Sequence, residues 1–270
     1  MLSAVNEPSP VAELVTEDVT LHVEVDGEGE PVTLLAHGLT NSCRELAQLT
    51  PLVPGTKVRF CFRGHGHSSS PERGYRFADF ARDVEAVADA YGPEVAIGTS
   101  LGAGAIANLV AREPDRFRKL IFLLPAGLDV PFQYRDRMLR TAGLVEGKSI
   151  EDAVEAVLSD PQRLATYVEY PWLRDFDRNL LQDLNTVGVP RAIREVIDDW
   201  PLSDREEMRK VTAPTLLTCR EGDVIHPAEV GRILAEIMPN AELMMFDDGM
   251  RMYEAIPQIV ERVVRFLGQP

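Results

Sequence analysis

Short apolar runs separated by stretches of helical spacing set the pattern of the chain. Residues 32–36, 58–62, 95–97, 120–124, 214–219 and 242–246 are apolar segments of the length of buried strands. Upstream, apolar positions alternate through Leu14, Val15, Val19, Leu21, Val23 and Val25, which fits two short strands ending in the turn Asp26-Gly27-Glu28-Gly29. Phe77, Phe80, Val84, Val87 and Ala88 recur at helical spacing with charges opposite, predicting a helix over 77–91. Further helices are predicted over 43–50, stopped by Pro51 and Pro54, and over 254–267. Residues 1–10 are polar and proline-rich and read as a loose tail. From about 127 to 209 the strand signals cease. This block is helical and charged, punctuated by Pro131, Pro161, Pro171 and Pro190, and Ser149-x-x-Asp152 and Ser203-x-x-Glu206 resemble capping boxes. Strands alternating with helices predict an α/β fold with a mainly parallel sheet covered on both faces. The helical block between two strands predicts a cap over the strands' C-terminal ends, where such sheets bind ligands. The division expected is a core of 1–127 and 210–270 with a helical cap of 128–209.

The most informative stretch runs from Val95 to Ala107. Its apolar start is a strand, its small residues open a helix, and between them stands Gly98-x-Ser100-x-Gly102. This is the pattern of a nucleophile elbow, a sharp strand-to-helix turn that lifts a serine hydroxyl above a sheet. Residues two before and two after the serine are expected to face each other, where a Cβ would clash. The serine is expected in strained backbone geometry that aims its oxygen into a cleft.

Composition narrows the partners. The 270 residues carry a formal net charge of −15, a sign that repels phosphate backbones and argues against nucleic acid or an anionic membrane surface. No apolar run has membrane-spanning length, and no basic-then-apolar leader opens the chain. Cys43, Cys61 and Cys219 are far apart, odd in number and without metal spacing, so reduced thiols and a cytoplasmic protein are expected. The expected partner is a small-molecule substrate or ligand, with no cofactor and no metal.

Taken together, four landmarks make the chain similar to the serine-nucleophile branch of the α/β-hydrolase-fold proteins, over nearly its whole length. His37-Gly38 resembles the segment after the third strand that supplies part of an oxyanion hole. Phe62-Arg63-Gly64-His65-Gly66-x-Ser68 resembles the turn after the fourth strand. Gly98-x-Ser100-x-Gly102 matches the elbow, and Gly222-Asp223 resembles the position of the triad acid. The resemblance implies an α/β-hydrolase fold with a mostly parallel eight-stranded sheet. It also implies Ser100 as nucleophile, Asp223 as the acid that orients the base, and the backbone N–H groups of Leu39 and Leu101 as oxyanion donors. Asp129 is a weaker alternative acid. Epoxide hydrolases and dehalogenases place an aspartate at the elbow, so Ser100 disfavours them.

The chain departs from that family at the base. Where a histidine is expected before the last helix the sequence reads Asp247-Asp248-Gly249-Met250, and no histidine follows His226. Met250 cannot accept a proton. Cys61 replaces an aspartate that the family often has. The expectation is therefore an incomplete triad. His37, His65, His67 and His226 can lie near the pocket rim and, with Asp247 and Asp248, are the candidates for a replacement base, although a structural role is the ordinary one for His37 and His65 and a surface or helix-start place the ordinary one for His226. The function expected is cofactor-independent chemistry on a small ester, lactone or related acyl compound through Ser100. The alternative is a non-hydrolytic cyclase, lyase or acyl-transfer enzyme, or a catalytically silent ligand-binding protein. In the cap, Tyr134, Tyr167, Tyr170, Trp172 and Trp200 offer aromatic surface, though packing within the cap is their ordinary role.

Overall fold

Eight strands form one sheet in the order β1-β2-β4-β3-β5-β6-β7-β8. They are β1 (Val11–Val15), β2 (Thr20–Asp26), β3 (Val32–Ala36), β4 (Thr56–Phe60), β5 (Val95–Thr99), β6 (Lys119–Leu123), β7 (Thr215–Arg220) and β8 (Ala241–Phe246). The two pairings made by β2 are antiparallel and all others are parallel. The computed structural model describes residues 10–130, 134–247 and 251–269, without the side chains at 48 and 251–255. The segment read as a loose tail lies outside the described residues apart from Pro10.

Side chains alternate across a strand, so a buried parallel strand feeds two cores at once. Leu34 and Ala36 of β3 and Ala96 of β5 join one core with helices α1 (Phe77–Tyr91), α2 (Leu101–Arg112) and, further along the chain, Ala228–Ile237. Leu35 and Ile97 point the other way, against Leu46, Val53, Val263 and Phe266. Residues 43–50 do not form the expected α-helix. They make turns with three-residue hydrogen bonds, Glu45 N–H to Ser42 C=O and Ala47 N–H to Arg44 C=O, and end in a 3₁₀ segment, Ala47–Leu52, that contains Pro51. A proline there removes a donor from the α-helical ladder, and the tighter turn lets Glu45 reach back toward Gly38.

Between β6 and β7 stand α3 (Arg135–Val145), α4 (Ile150–Leu158), α5 (Pro161–Glu169), α6 (Trp172–Leu180) and α7 (Gly188–Val196). Ser149 caps α4 by accepting from Asp152 N–H, as its spacing predicts, whereas Asp204 rather than Ser203 caps the 3₁₀ segment Arg205–Lys210. Asp204 Oδ1 accepts from Glu206 N–H (2.9 Å), one residue later than the spacing of Ser203 suggests. Helix α7 lies directly on the loop after β4. A Cβ on Gly188 would stand 2.2 Å from Gly64 Cα. The end of α7 and the turn beyond it hold the start of α1, with Glu195 accepting from Tyr75 N–H (2.9 Å) and Asp199 from Phe77 N–H (2.7 Å). Beyond β7, α8 (Ala228–Ile237) and α9 (Arg251–Leu267) complete the chain. No helix among the described residues is long and apolar enough to cross a membrane.

Candidate active site

Ser100 sits between β5 and α2 with φ 50° and ψ −109°, a left-handed conformation that a non-glycine residue rarely holds. The turn is fixed from both sides: Ser100 N–H donates to Leu123 C=O (2.9 Å) and its C=O accepts from Gly104 N–H (3.0 Å). The two glycines have distinct reasons. A Cβ on Gly98 would come within 2.6 Å of Gly102 C and Ala103 N, across the turn as expected, whereas one on Gly102 would meet Ala36 C=O of β3 at 2.2 Å. Gly102 therefore lets α2 approach the neighbouring strand, and that close approach carries the serine.

An imidazole does stand beside this serine, and it belongs to His226. Its Nε2 is 2.9 Å from Ser100 Oγ and its Nδ1 is 3.0 Å from Asp223 Oδ2. An ionised carboxylate only accepts, so Nδ1 carries the ring proton and Nε2 is left to accept from the serine hydroxyl. The expectation of a site without an imidazole, and of His226 at the surface, is corrected. The loop after β7 turns back on itself because Asp223 Oδ1 accepts from the backbone N–H of Ile225 (2.9 Å) and of His226 (3.0 Å), which swings the ring over the elbow. One carboxylate thus shapes the loop with one oxygen and holds the ring with the other. Arg220 Nε also donates to Oδ2 (2.5 Å). Burial disfavours the charge of Asp223, but His226 and Arg220 outweigh it and hold the carboxyl well below the usual carboxylate range. Asp223 is expected to point toward Met250, which lies outside the described residues; its carboxylate holds His226.

The chain carried a signal for this. Of its five histidines His226 alone follows the elbow, so Ser100, Asp223 and His226 keep the order serine, acid, histidine. The structural difference is that acid and imidazole share one loop.

Among the described residues, the other expected bases make no hydrogen bond to Ser100. His37 Nδ1 donates to Gly38 C=O (2.8 Å) and its Nε2 accepts from Phe62 N–H (3.0 Å), so both ring nitrogens tie the loops after β3 and β4 together. Burial, reinforced by the nearby His65, pushes His37 down to about 3, and burial pushes His65 down to about 4. His65 Nδ1 donates to Arg63 C=O (2.9 Å). His67 is exposed and faces Asp183 (3.6 Å). Asp129 is paired with Arg205 (Nε to Oδ2, 2.8 Å), and Asp247 is exposed. Asp248 lies outside the described residues. Cys61 is buried and accepts from Cys43 N–H (3.4 Å), and all three thiols are free. Among the described residues His22, Glu24 and Cys43 form the one cluster of metal-ligand type, and Arg59 Nη2 already neutralises Glu24 at 2.8 Å.

Leu39 and Leu101 line the same cavity as Ser100. Leu101 opens α2, where a backbone N–H has no partner within the helix and the helix dipole favours negative charge. Leu39 precedes Thr40, whose φ of 74° turns the loop after β3. The residue that holds this loop belongs to no motif in the sequence. Glu45 is half-buried in the cavity wall, its Oε2 accepting from Gly38 N–H (2.6 Å) and its Oε1 from Asn41 Nδ2 (2.7 Å). Burial pushes its carboxyl up to about 7 against the pull of those two hydrogen bonds.

The cavity encloses about 380 Å³ and is roofed by α3, α5 and α6 through residues such as Met138, Arg163 and Phe176. None of the five cap aromatics lines it. Tyr167 donates to Asp177 Oδ2 (2.6 Å), and Trp172 stacks edge-on with Phe176. A serine hydroxyl on an oriented imidazole, next to backbone donors in a partly apolar cavity, can attack an acyl carbon and stabilise the oxyanion that forms.

A family model described as the alpha/beta hydrolase fold matches residues 34–252. The AB hydrolase superfamily protein YisY of Bacillus subtilis is 27% identical over 243 residues, covering 85% of this chain and 88% of that protein. A pimeloyl-[acyl-carrier protein] methyl ester esterase of Neisseria meningitidis is 26% identical over 228 residues, covering 79% and 83%. Among solved structures the enol-lactonase of Burkholderia xenovorans superposes with a TM-score of 0.76 at 21% identity, covering 96% of this chain and all (100%) of that one.

Proposed function

The chain belongs to the α/β-hydrolase fold family, and within it we propose a cofactor-independent serine hydrolase of small esters, lactones or related acyl compounds. The observation that carries this reading is the 2.9 Å approach of His226 Nε2 to Ser100 Oγ, with Nδ1 held by Asp223. In this reading His226 takes the hydroxyl proton as Ser100 attacks the acyl carbon. The oxyanion is received by the N–H groups of Leu39 and Leu101. His226 then protonates the leaving oxygen, the acyl group stays on Ser100, and water activated by the same imidazole releases it. Asp223 keeps the ring in the required tautomer and stabilises its charged form. The names of two similar proteins, a methyl ester esterase and an enol-lactonase, support ester and lactone carbonyls as the bond class. With an imidazole in place, the non-hydrolytic and silent alternatives lose the observation that motivated them.

The test compares wild type, Ser100→Ala and His226→Ala on 4-nitrophenyl acetate and butyrate. Loss of a positioned general base is expected to lower kcat by about 10²–10⁴-fold. A fluorophosphonate should label wild type at Ser100 and leave Ser100→Ala unlabelled. A His226→Ala variant that turns over at the wild-type rate sinks the reading.

A further inference from the structure

The charges in the wall of the Ser100 cavity balance in number but are not all paired. Three arginines, Arg137, Arg163 and Arg220, and three carboxylates, Glu45, Asp160 and Asp177, line it. Each carboxylate already has its donors. Asp160 accepts from Arg140 Nε (3.0 Å) and Nη2 (3.2 Å), Asp177 from Arg163 (2.8 Å) and Tyr167, and Glu45 from Gly38 and Asn41. Arg220 is spent on Asp223. Arg137 is different: among the described residues its guanidinium enters no hydrogen bond and no ion pair. It stands on the face of α3 that also brings Met138 and Thr141 to the cavity. It lines the adjoining cavity around Asp223 as well, which places it where the two meet. The same wall includes apolar Leu39, Leu124, Met138 and Phe176.

From this arrangement we infer that the substrate is an acyl compound bearing a second, free carboxylate, held by Arg137 while its ester or lactone carbonyl lies at Ser100. A planar guanidinium matches a carboxylate with two parallel hydrogen bonds, and an apolar wall suits the methylenes between the two ends. The surrounding charge makes the point sharper. With a net charge of −15 the molecule repels anions at long range, so a cavity guanidinium without an ion pair among the described residues, even with Glu221 and Asp247 in the adjoining cavity, is a local exception that favours one. The inference rests on the reading of Ser100 as nucleophile, and its test separates the two.

Two esters of the same chain length serve, monomethyl adipate and methyl hexanoate, with methanol release measured at low salt for wild type, Arg137→Gln and Arg137→Lys. Wild type should favour monomethyl adipate by about tenfold or more in kcat/KM, the range of one charge-assisted hydrogen-bonded pair. Arg137→Gln should bring that ratio close to one, Arg137→Lys should keep part of it, and added salt should erode it. Because Arg137 is exposed, the fold should survive the change, which a thermal melt checks. Calorimetry of monomethyl adipate on Ser100→Ala, with and without Arg137→Gln, reads the anion site without any chemistry, and about a tenfold loss of affinity is expected. Equal use of both esters by wild type, or an equal loss on both in Arg137→Gln, overturns the inference and leaves the hydrolase reading intact. Binding through Arg137 without Ser100-dependent cleavage of either ester overturns the hydrolase reading and leaves the anion site.

Discussion

At Glu45 two demands meet. The loop after β3 needs an acceptor for Gly38 N–H, and the place where that acceptor must stand is largely shielded from water. The carboxyl responds by rising from 4.5 to about 7. Its proton is held more tightly in the folded chain than in the unfolded one, so the stability it contributes is complete below about pH 4.5 and is lost as pH climbs through 7. Glu45→Gln, which cannot ionise, is therefore expected to gain on wild type between pH 4.5 and pH 8. The shift corresponds to about 3 kcal/mol, and urea melts at the two pH values measure it. Glu45→Ala removes the acceptor altogether, and kcat should fall by about tenfold or more with KM little changed, since the loss falls on oxyanion stabilisation. Asp223 is the opposite case. Its depressed pKa keeps it ionised throughout the working range. Asp223→Asn should lower kcat by about 10²–10⁴-fold, because an amide allows the wrong imidazole tautomer, and single-turnover kinetics on 4-nitrophenyl butyrate would show it.

Among the elements, the contacts that set the site are close backbone approaches. α2 reaches β3 through Gly102, and α7 reaches the loop after β4 through Gly188 and Gly64. Neither approach tolerates a Cβ, because the atoms it would strike are backbone atoms with no freedom to move aside. Gly102→Ala is expected to lower stability by about 1–3 kcal/mol or more and to abolish activity together with it. Gly188→Ala should separate the two effects. It lifts the helix that braces residues 74–77 while leaving the elbow in place, so a lowered melting temperature with a disproportionate rise in KM is the outcome expected, read from calorimetry and steady-state kinetics on one preparation. A Gly188→Ala variant with wild-type stability would mean that α7 does not bear on the core as the 2.2 Å approach requires.

For the whole molecule the helices between β6 and β7 set the size of what reaches Ser100. A cavity of about 380 Å³ lies toward the small end of ligand sites. Short acyl chains should fit beneath α3, α5 and α6, and a palmitoyl chain should not. Across 4-nitrophenyl esters from acetate to palmitate, kcat/KM is expected to peak at short or medium length and to fall at least about tenfold by the longest. A profile that keeps rising with chain length would place the acyl group outside this cavity.

Much of this was legible in the chain because it is written in short-range terms. Strand and helix periods need only a few residues on either side, so the sheet, α1 and the elbow turn could be read off, as could the acidic loop that follows β7. Ser100 needs glycines two residues away on each side, and that constraint is local too. The segment 43–50 escaped because its apolar spacing fits an α-helix, while the pull of Glu45 toward Gly38 and the proline at 51 select a tighter turn. The place of His226 escaped for a larger reason. His226 and Ser100 are 126 residues apart in sequence, and their 2.9 Å contact exists because β5 and β7 both flank β6 and because Asp223 folds its loop back over the elbow. Sequence alone determined which residue types were available and in what order. Only the tertiary structure decided which imidazole stands over the serine, since that distance is a property of sheet order and loop path.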